Sequence, residues 1–255
     1  MIGYAKITKL GTRELNEDAI RVVEDNGRYG FIVCDGLGGH GMGDVSSNIV
    51  ANAFVECFET LDCSGPEFMK QMFECAQESL LKQKKTLKVT TQMCTTAVAL
   101  LIENNKAYIG YIGDSRLYVV EKDRISYRTI DHSVPQMLAL HGDITDEDIA
   151  HHPDRNKLLR ALGMEWERPM YSIEKPLELK NNQGFLLCSD GFWEWIEQKH
   201  ICGMLKASNS AKQWLDSMME VVESNSKGAE MDNCSAIVVI NKDGNGEEDY
   251  DEKNN

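Results

Sequence analysis

The 255-residue sequence predicts an α+β layered sandwich of antiparallel sheets. Short strand-like runs joined by tight turns dominate the chain. The helix-like segments come in pairs, whereas a doubly wound parallel sheet would alternate them singly with strands. A hydrophobic content of 42% over this length supplies the core of one sizeable domain.

Segments 3–9, 19–25 and 29–35 read as strands, the last two joined by Asn26-Gly27, which suits a two-residue hairpin. Ile49, Val50, Ala53, Phe54, Cys57, Phe58 and Leu61 recur at helical spacing. A second helix is expected from about Pro66 into the lysine-rich run 80–88, with the proline in its first turn. Strands return over 93–104, 106–122 and 124–131, with turns at Asn104-Asn105 and Lys122-Asp123. Residues 133–165 are polar and read as a surface excursion of short helices and loops. Strands follow at 170–179 and 183–190, then helices over 192–205 and about 209–225, then a last strand over 233–241. The domain is expected over 1–241, with 242–255 an acidic, disordered tail.

Composition excludes several function classes. The net charge of −14 and pI near 4.9 oppose binding to nucleic acid or to an anionic membrane. No apolar run reaches the ~20 residues of a membrane span, and the N-terminus lacks a signal-peptide pattern, so a cytoplasmic protein is expected. Eight cysteines are scattered without a CxxC pair, and read as small buried hydrophobes in a reducing compartment. No Cys-x5-Arg loop is present, which disfavours cysteine-based phosphoester chemistry.

Four turns or strand ends carry an aspartate beside a small or turn-forming residue: Asp35-Gly36, Gly113-Asp114-Ser115, Asp190-Gly191 and Asp232-Asn233. Singly, each reads as an Asx-turn. Together with "NED" at 16–18 they supply the hard oxygen ligands that Mg²⁺ or Mn²⁺ requires. Two ions sharing one carboxylate can activate a water and shield the charge of a phosphate ester. After Asp35 come five glycines within eight residues, backbone free to turn sharply before a helix capped by Asp44, Ser46 or Ser47.

These motifs occur in order: "RELNED" (13–18), "VCDGLGGHGMGDVSS" (33–47), "CTTAVA" (94–99), "IGDSRLYV" (112–119), "DHS" (131–133), "HHPDRNKLLRALG" (151–163), "LLCSDGFWEWI" (186–196) and "MDNCSAIVV" (231–239). In this set the sequence resembles the metal-dependent protein phosphatases of the PP2C type, in the form common in bacteria. The resemblance implies a four-layer αββα sandwich with a centre of two Mn²⁺ or Mg²⁺ ions and a weaker third site. It implies Asp35 as the ligand shared by two ions, the Gly36 carbonyl on one of them, and Asp190 and Asp232 on the other. Glu17 and Asp18 would bind metal directly or through its waters, Asp114 would join Asp190 at the third site, and Asn233 would support them. Arg13 would hold phosphate with its planar fork. Residues 133–165 correspond to the family's flap. The activity implied is hydrolysis of phosphoserine and phosphothreonine in proteins, targets of a serine/threonine kinase, by a metal-bridged hydroxide, in a monomer.

One position departs from the animal enzymes, whose Asp-Gly pair is followed by a histidine proposed to protonate the leaving alcohol. Here it is Leu37, so the general acid is open, and His40 among the glycines reads as a helix-lip residue. Two rivals are weaker. A non-catalytic module on the same fold would have lost ligands, and the expected acids are all present. A phosphodiesterase or small-ester phosphatase fits the acids, but the acidic surface opposes nucleic acid substrates.

Overall fold

The computed structural model describes residues 1–38, 42–88 and 93–242. The disordered tail expected over 242–255 therefore falls, from residue 243 on, outside the described residues, as does His40. Strand β1 (Ile2–Lys9) precedes the hairpin of β2 (Asp18–Asp25) and β3 (Arg28–Leu37), which turns at Asn26-Gly27 with both residues at positive φ. Helices α1 (Gly43–Thr60) and α2 (Gly65–Leu87) follow, then β4 (Cys94–Thr95), β5 (Ala97–Glu103), β6 (Lys106–Ile112), β7 (Arg116–Glu121) and β8 (Arg124–Arg128). Helix α3 (Val134–His141) and a 3-10 turn at Glu147–His151 lie in the polar excursion. The chain then adds β9 (Ser172–Ile173), β10 (Leu177–Glu178), β11 (Gln183–Cys188), α4 (Asp190–Trp193), α5 (Gln198–Ala207), α6 (Ala211–Asn225) and β12 (Cys234–Asn241).

Two antiparallel sheets result. One runs β1-β12-β11-β7-β8; the other runs β10-β6-β5-β3-β2, with β4 beside β3 and β9 beside β6. The period-two alternation of strand side chains explains the layering. On β3, Phe31 and Val33 join Val98, Leu100, Leu117, Phe185 and Ile237 between the sheets. Ile32 and Cys34, on the opposite face, meet Val50 and Phe54 of α1 and Met69 and Phe73 of α2. On β11, Leu187 faces the other sheet while Leu186 and Cys188 pack against α4, α5 and α6 through Phe192, Ile201, Trp214 and Met218. Helix, sheet, sheet, helix is the predicted four-layer order.

The structure corrects three details. Segment 106–122 is not one strand: Gly113, at φ +99°, turns the chain out of β6 in one sheet and into β7 in the other. The corner leaves Asp114 at one end of the sandwich. Helix 192–205 is broken at 194–197, because the Trp193 ring is fixed by its own contacts and the chain turns before Glu197 caps α5 with extended backbone. Helix α1 is not capped by Asp44, Ser46 or Ser47; Ser46 bonds the carbonyls of Met42, Gly43 and Cys94, and the Gly43 N–H goes to Glu17 Oε1 at 3.1 Å.

Behind that corner lies a buried ion pair. Arg116 donates from Nε to both oxygens of Asp131 (3.0 and 3.1 Å) and from Nη2 to Oδ2 (2.6 Å), and its guanidinium carbon sits 3.5 Å from the Trp193 ring centroid. Asp131 also meets Arg128 Nη1 at 3.5 Å, but among the described residues Arg116 pairs with Asp131 alone, so removing Asp131 leaves the Arg116 charge buried without a salt bridge. Asp131→Ala is therefore expected to cost about 3–5 kcal/mol of unfolding free energy, read from the urea midpoint. A loss within about 1 kcal/mol would mean that water reaches Arg116.

Candidate metal centre

Strand register assembles the site. Asp18 of β2 pairs directly with Asp35 of β3, so the end of this hairpin places two acids side by side. The Gly36 N–H donates to the Glu17 carbonyl at 3.1 Å. The backbone of Asp35 is pinned on both sides. Its N–H donates to Thr96 Oγ1 (3.0 Å), and its carbonyl accepts from the Thr96 N–H and the Thr95 hydroxyl (both 2.8 Å). A Cβ at Gly36 would overlap the Gly43 carbonyl, so glycine is required where β3 passes the start of α1.

The other sheet supplies the remaining acids. Asp190 opens α4 at the end of β11, and a Cβ on Gly191 would run into the Asn233 carbonyl, which shows how closely Asp190-Gly191 lies against Asp232-Asn233. Ser189 joins the sheets: its hydroxyl donates to Asp18 Oδ2 (2.8 Å) and accepts the Ser235 N–H (3.0 Å). Asn233 does the same for the N-terminal loop. Its Oδ1 accepts the Glu17 N–H (2.8 Å), while its Nδ2 donates to the carbonyls of Leu10 (2.9 Å) and Leu15 (3.0 Å). Asp114 hangs from the Gly113 corner, where the Trp193 indole N–H donates to its carbonyl at 3.0 Å and the Gly113 N–H donates to His132 Nδ1 at 3.2 Å.

A cavity of about 390 Å³ opens at this end of the sandwich. Arg13, Glu17, Asp35, Gly36, Asp114, Asp190, Asp232 and Asn233, all singled out from the sequence, line it. Asp18, also singled out, is buried beside Asp35 but does not line the cavity. Arg13 is exposed and donates from Nη2 to Asp232 Oδ2 at 2.7 Å.

Crowding dominates the electrostatics. Burial, reinforced by Asp190, Asp18, Asp114 and Asp232, pushes the Asp35 carboxyl well above the usual range. Burial raises Asp18 to about 7 against the pull of the Ser235 and Ser189 groups, with Asp190 and Asp232 adding to the rise. Burial and the neighbouring Asp232 raise Asp190 to about 6. Asp114 is raised by burial, then by Asp190 and Asp131. Asp35 and Asp190 keep part of their surface open to the cavity.

Among the described residues, no three His, Cys, Asp or Glu side chains are gathered tightly enough to hold an ion as they stand. The acids are met by Arg13, paired with Asp232, and by the Ser189 hydroxyl on Asp18. The donor set nonetheless fits a hard divalent cation. It is all oxygen, its carboxylates repel one another, and the buried Asp18 Oδ1 has no hydrogen-bond partner among the described residues.

Sequence reasoning missed what fixes the acids: Ser189, Thr95, Thr96, Trp193 and the Arg116–Asp131 pair. Ser189 directly precedes Asp190, and Arg116 lies two residues after Asp114, so adjacency was the available signal. Leu37, noted from the sequence at the position after Asp35-Gly36, also lines the cavity, whereas Glu14, Leu15, Gly38, Asn156 and Leu158 on its walls were not singled out. Seven of the eight cysteines are buried or half-buried, as expected, but Cys75 is exposed; all eight are free. Among the described residues no helix is long and apolar enough to cross a membrane.

Comparison with known proteins agrees with this geometry. The chain is 31% identical over 234 residues to the serine/threonine phosphatase stp of Listeria innocua, covering 89% of this chain and 90% of that protein. Its fold matches the serine/threonine phosphatase Stp1 of Staphylococcus aureus at a TM-score of 0.85 and 25% identity, over 95% of this chain and 96% of that one. It also matches the catalytic domain of the serine/threonine protein phosphatase PstP, solved in complex with two manganese ions, at a TM-score of 0.76 and 24% identity, over 95% and 99% of the two chains. Residues 8–234 match the protein phosphatase 2C family, and with two sheets that bring the family's ordered acids to one cavity, the chain belongs to that family of metal-dependent protein phosphatases.

Proposed function

We propose that this chain removes phosphate from phosphoserine and phosphothreonine in proteins, using a pair of Mn²⁺ or Mg²⁺ ions held by Asp35, Gly36, Asp190 and Asp232. Glu17 and Asp18 would contribute directly or through water, Asp114 would help hold a weaker third ion, and Asn233 would keep the ligand loops together. The observation that supports this most is the gathering of carboxylates from both sheets around one cavity, a charge excess that divalent cations would relieve. When bound, the ions would neutralise phosphate charge and bring the pKa of water close to neutral.

The chain's own groups would do the rest. Asp35 is backbone-locked, so its carboxylate has a fixed place. Arg13 lines the cavity on an exposed side chain and would exchange Asp232 for two phosphate oxygens. Leu37 is apolar, so proton delivery to the leaving alcohol falls to solvent or to a group still to be assigned. The phosphatase unit is read as residues 1–241, with 242–255 an acidic appendage, acting as a cytoplasmic monomer on the targets of a serine/threonine kinase.

The deciding experiment is phosphate release from a phosphothreonine peptide by metal-stripped chain titrated with Mn²⁺. Saturable, Mn²⁺-dependent release is expected. No release from a folded chain that binds Mn²⁺ would sink the reading.

A further inference from the structure

Three leucines converge on the charged cavity and belong to no core. Leu15 lines it from the N-terminal loop, Leu158 from the segment after the 3-10 turn, and Leu37 from the end of β3. None of them packs into the three apolar clusters between the layers. Leu15 is 45% exposed, and Leu37 and Leu158 are half-buried. Single exposed leucines are ordinary on a protein surface. Three from separate segments around one polar cavity are a different case, because each keeps apolar surface in water at the place where a ligand enters.

Both walls are fixed before any ligand arrives. Asn233 holds the Leu10 and Leu15 carbonyls, and Thr12 exchanges hydrogen bonds with the Met231 backbone through its N–H (2.9 Å) and its hydroxyl (2.9 and 3.0 Å). Around Leu158, the Val134 N–H donates to the Lys157 carbonyl (2.9 Å) and the Leu159 N–H to the His132 carbonyl (2.8 Å). Charge adds a second constraint. Glu14 lines the cavity beside Leu15, while Arg13, Arg155 and Lys157, the cations of residues 10–15 and 154–159, are paired with Asp232, Glu194 and Asp154.

Building on the phosphatase reading above, we propose that this cleft selects phosphoproteins whose phosphorylated residue is flanked by bulky apolar side chains, seated between Leu15 and Leu158, and rejects acidic flanks. Burying the open surface of one such leucine against a substrate side chain is worth about tenfold in affinity. An acidic flank would instead meet Glu14, a penalty that weakens with salt.

The test uses the full chain with saturating Mn²⁺ and three phosphothreonine peptides that differ only in the two residues beside the phosphothreonine: leucine, alanine or aspartate. The leucine peptide is expected to exceed the alanine peptide about tenfold in kcat/KM, chiefly through KM, and the aspartate peptide to fall below both. In the double variant Leu15→Ser, Leu158→Ser the leucine-to-alanine ratio is expected to approach one. A damaged fold or metal centre lowers both peptides alike and leaves that ratio in place. Leu15→Ser alone, at a half-exposed side chain, is expected to reduce the ratio about threefold and serves if the double variant is inactive. Equal rates on the leucine and alanine peptides would overturn the selectivity while leaving the phosphatase intact. A preference that survives both variants would remove it from these leucines, and an aspartate peptide as good as alanine would overturn the charge component. Failure on all three peptides would bring down the phosphatase reading itself, and this inference with it.

Discussion

Asp35→Asn is expected to reduce Mn²⁺-dependent phosphate release by on the order of a thousandfold while raising the melting temperature of the chain in excess chelator. The two effects have one cause. Asparagine keeps the shape, and the hydrogen bonds from Thr95 and Thr96 reach the backbone of residue 35, so they survive. What disappears is a carboxyl that, beside Asp190, Asp18, Asp114 and Asp232, must either carry a repelled charge or take up a proton. Without metal that charge opposes folding, and with metal it is the proposed shared ligand. Thermal unfolding with and without Mn²⁺, beside the release assay, checks both halves. If the variant melts below wild type in chelator, or keeps the wild-type gain on adding Mn²⁺, the assignment of Asp35 is wrong.

Stability in chelator is expected to fall as pH rises from about 4 to about 7, and the stabilisation by Mn²⁺ to grow over the same interval. The sign follows from the direction of the shifts. An unfolded aspartate titrates near 4, whereas burial and like charges raise Asp190 to about 6, Asp18 to about 7, and Asp35 and Asp114 well above the ordinary value. Each folded carboxyl then holds its proton more tightly than the unfolded one does. Its contribution favours the fold at low pH and is lost as pH climbs from the unfolded toward the folded value. Cations compete with those protons, so their gain in binding tracks the loss. Melting curves at about pH 5 and about pH 7.5, with chelator or Mn²⁺, read the difference. A Mn²⁺-induced shift that is the same at both pH values would show that these acids are already ionised in the metal-free fold.

The acids were legible because each sits beside a residue that interrupts regular structure. Asp35-Gly36 and Asp190-Gly191 follow unbroken apolar runs, and a carboxylate at the edge of a core needs a stated reason. The alternation of Phe31, Ile32, Val33 and Cys34 likewise announced a strand buried on both faces, as the sandwich requires. What sequence could not announce was distance. Ser189 bonds Asp18 across 171 positions of chain, and Asn233 reaches back to Leu10 across 223. Neither contact leaves a local pattern. The broken helix at 194–197 was hidden for a related reason. Phe192, Trp193 and Ile196 satisfy helical spacing, but what fixes Trp193 lies at Asp114 and Arg116, in another part of the chain.

The pairing of β1 with β12 carries a consequence for synthesis. β1 is an edge strand whose neighbour in its sheet is β12, matched along its whole length from Ile2 opposite Asn241 to Lys9 opposite Cys234. β1 is therefore made well before β12, the strand it pairs with, and waits for it. During that interval its backbone donors and acceptors are an unpaired edge, open to any other strand nearby. The long loop closure also makes this pairing slow to form. Because Asp232 and Asn233 stand just before β12, the step that pairs the waiting strand also brings Asp232 to the cavity. The folding chain would thus complete its carboxylate cavity and cover one side of β1 in the same event.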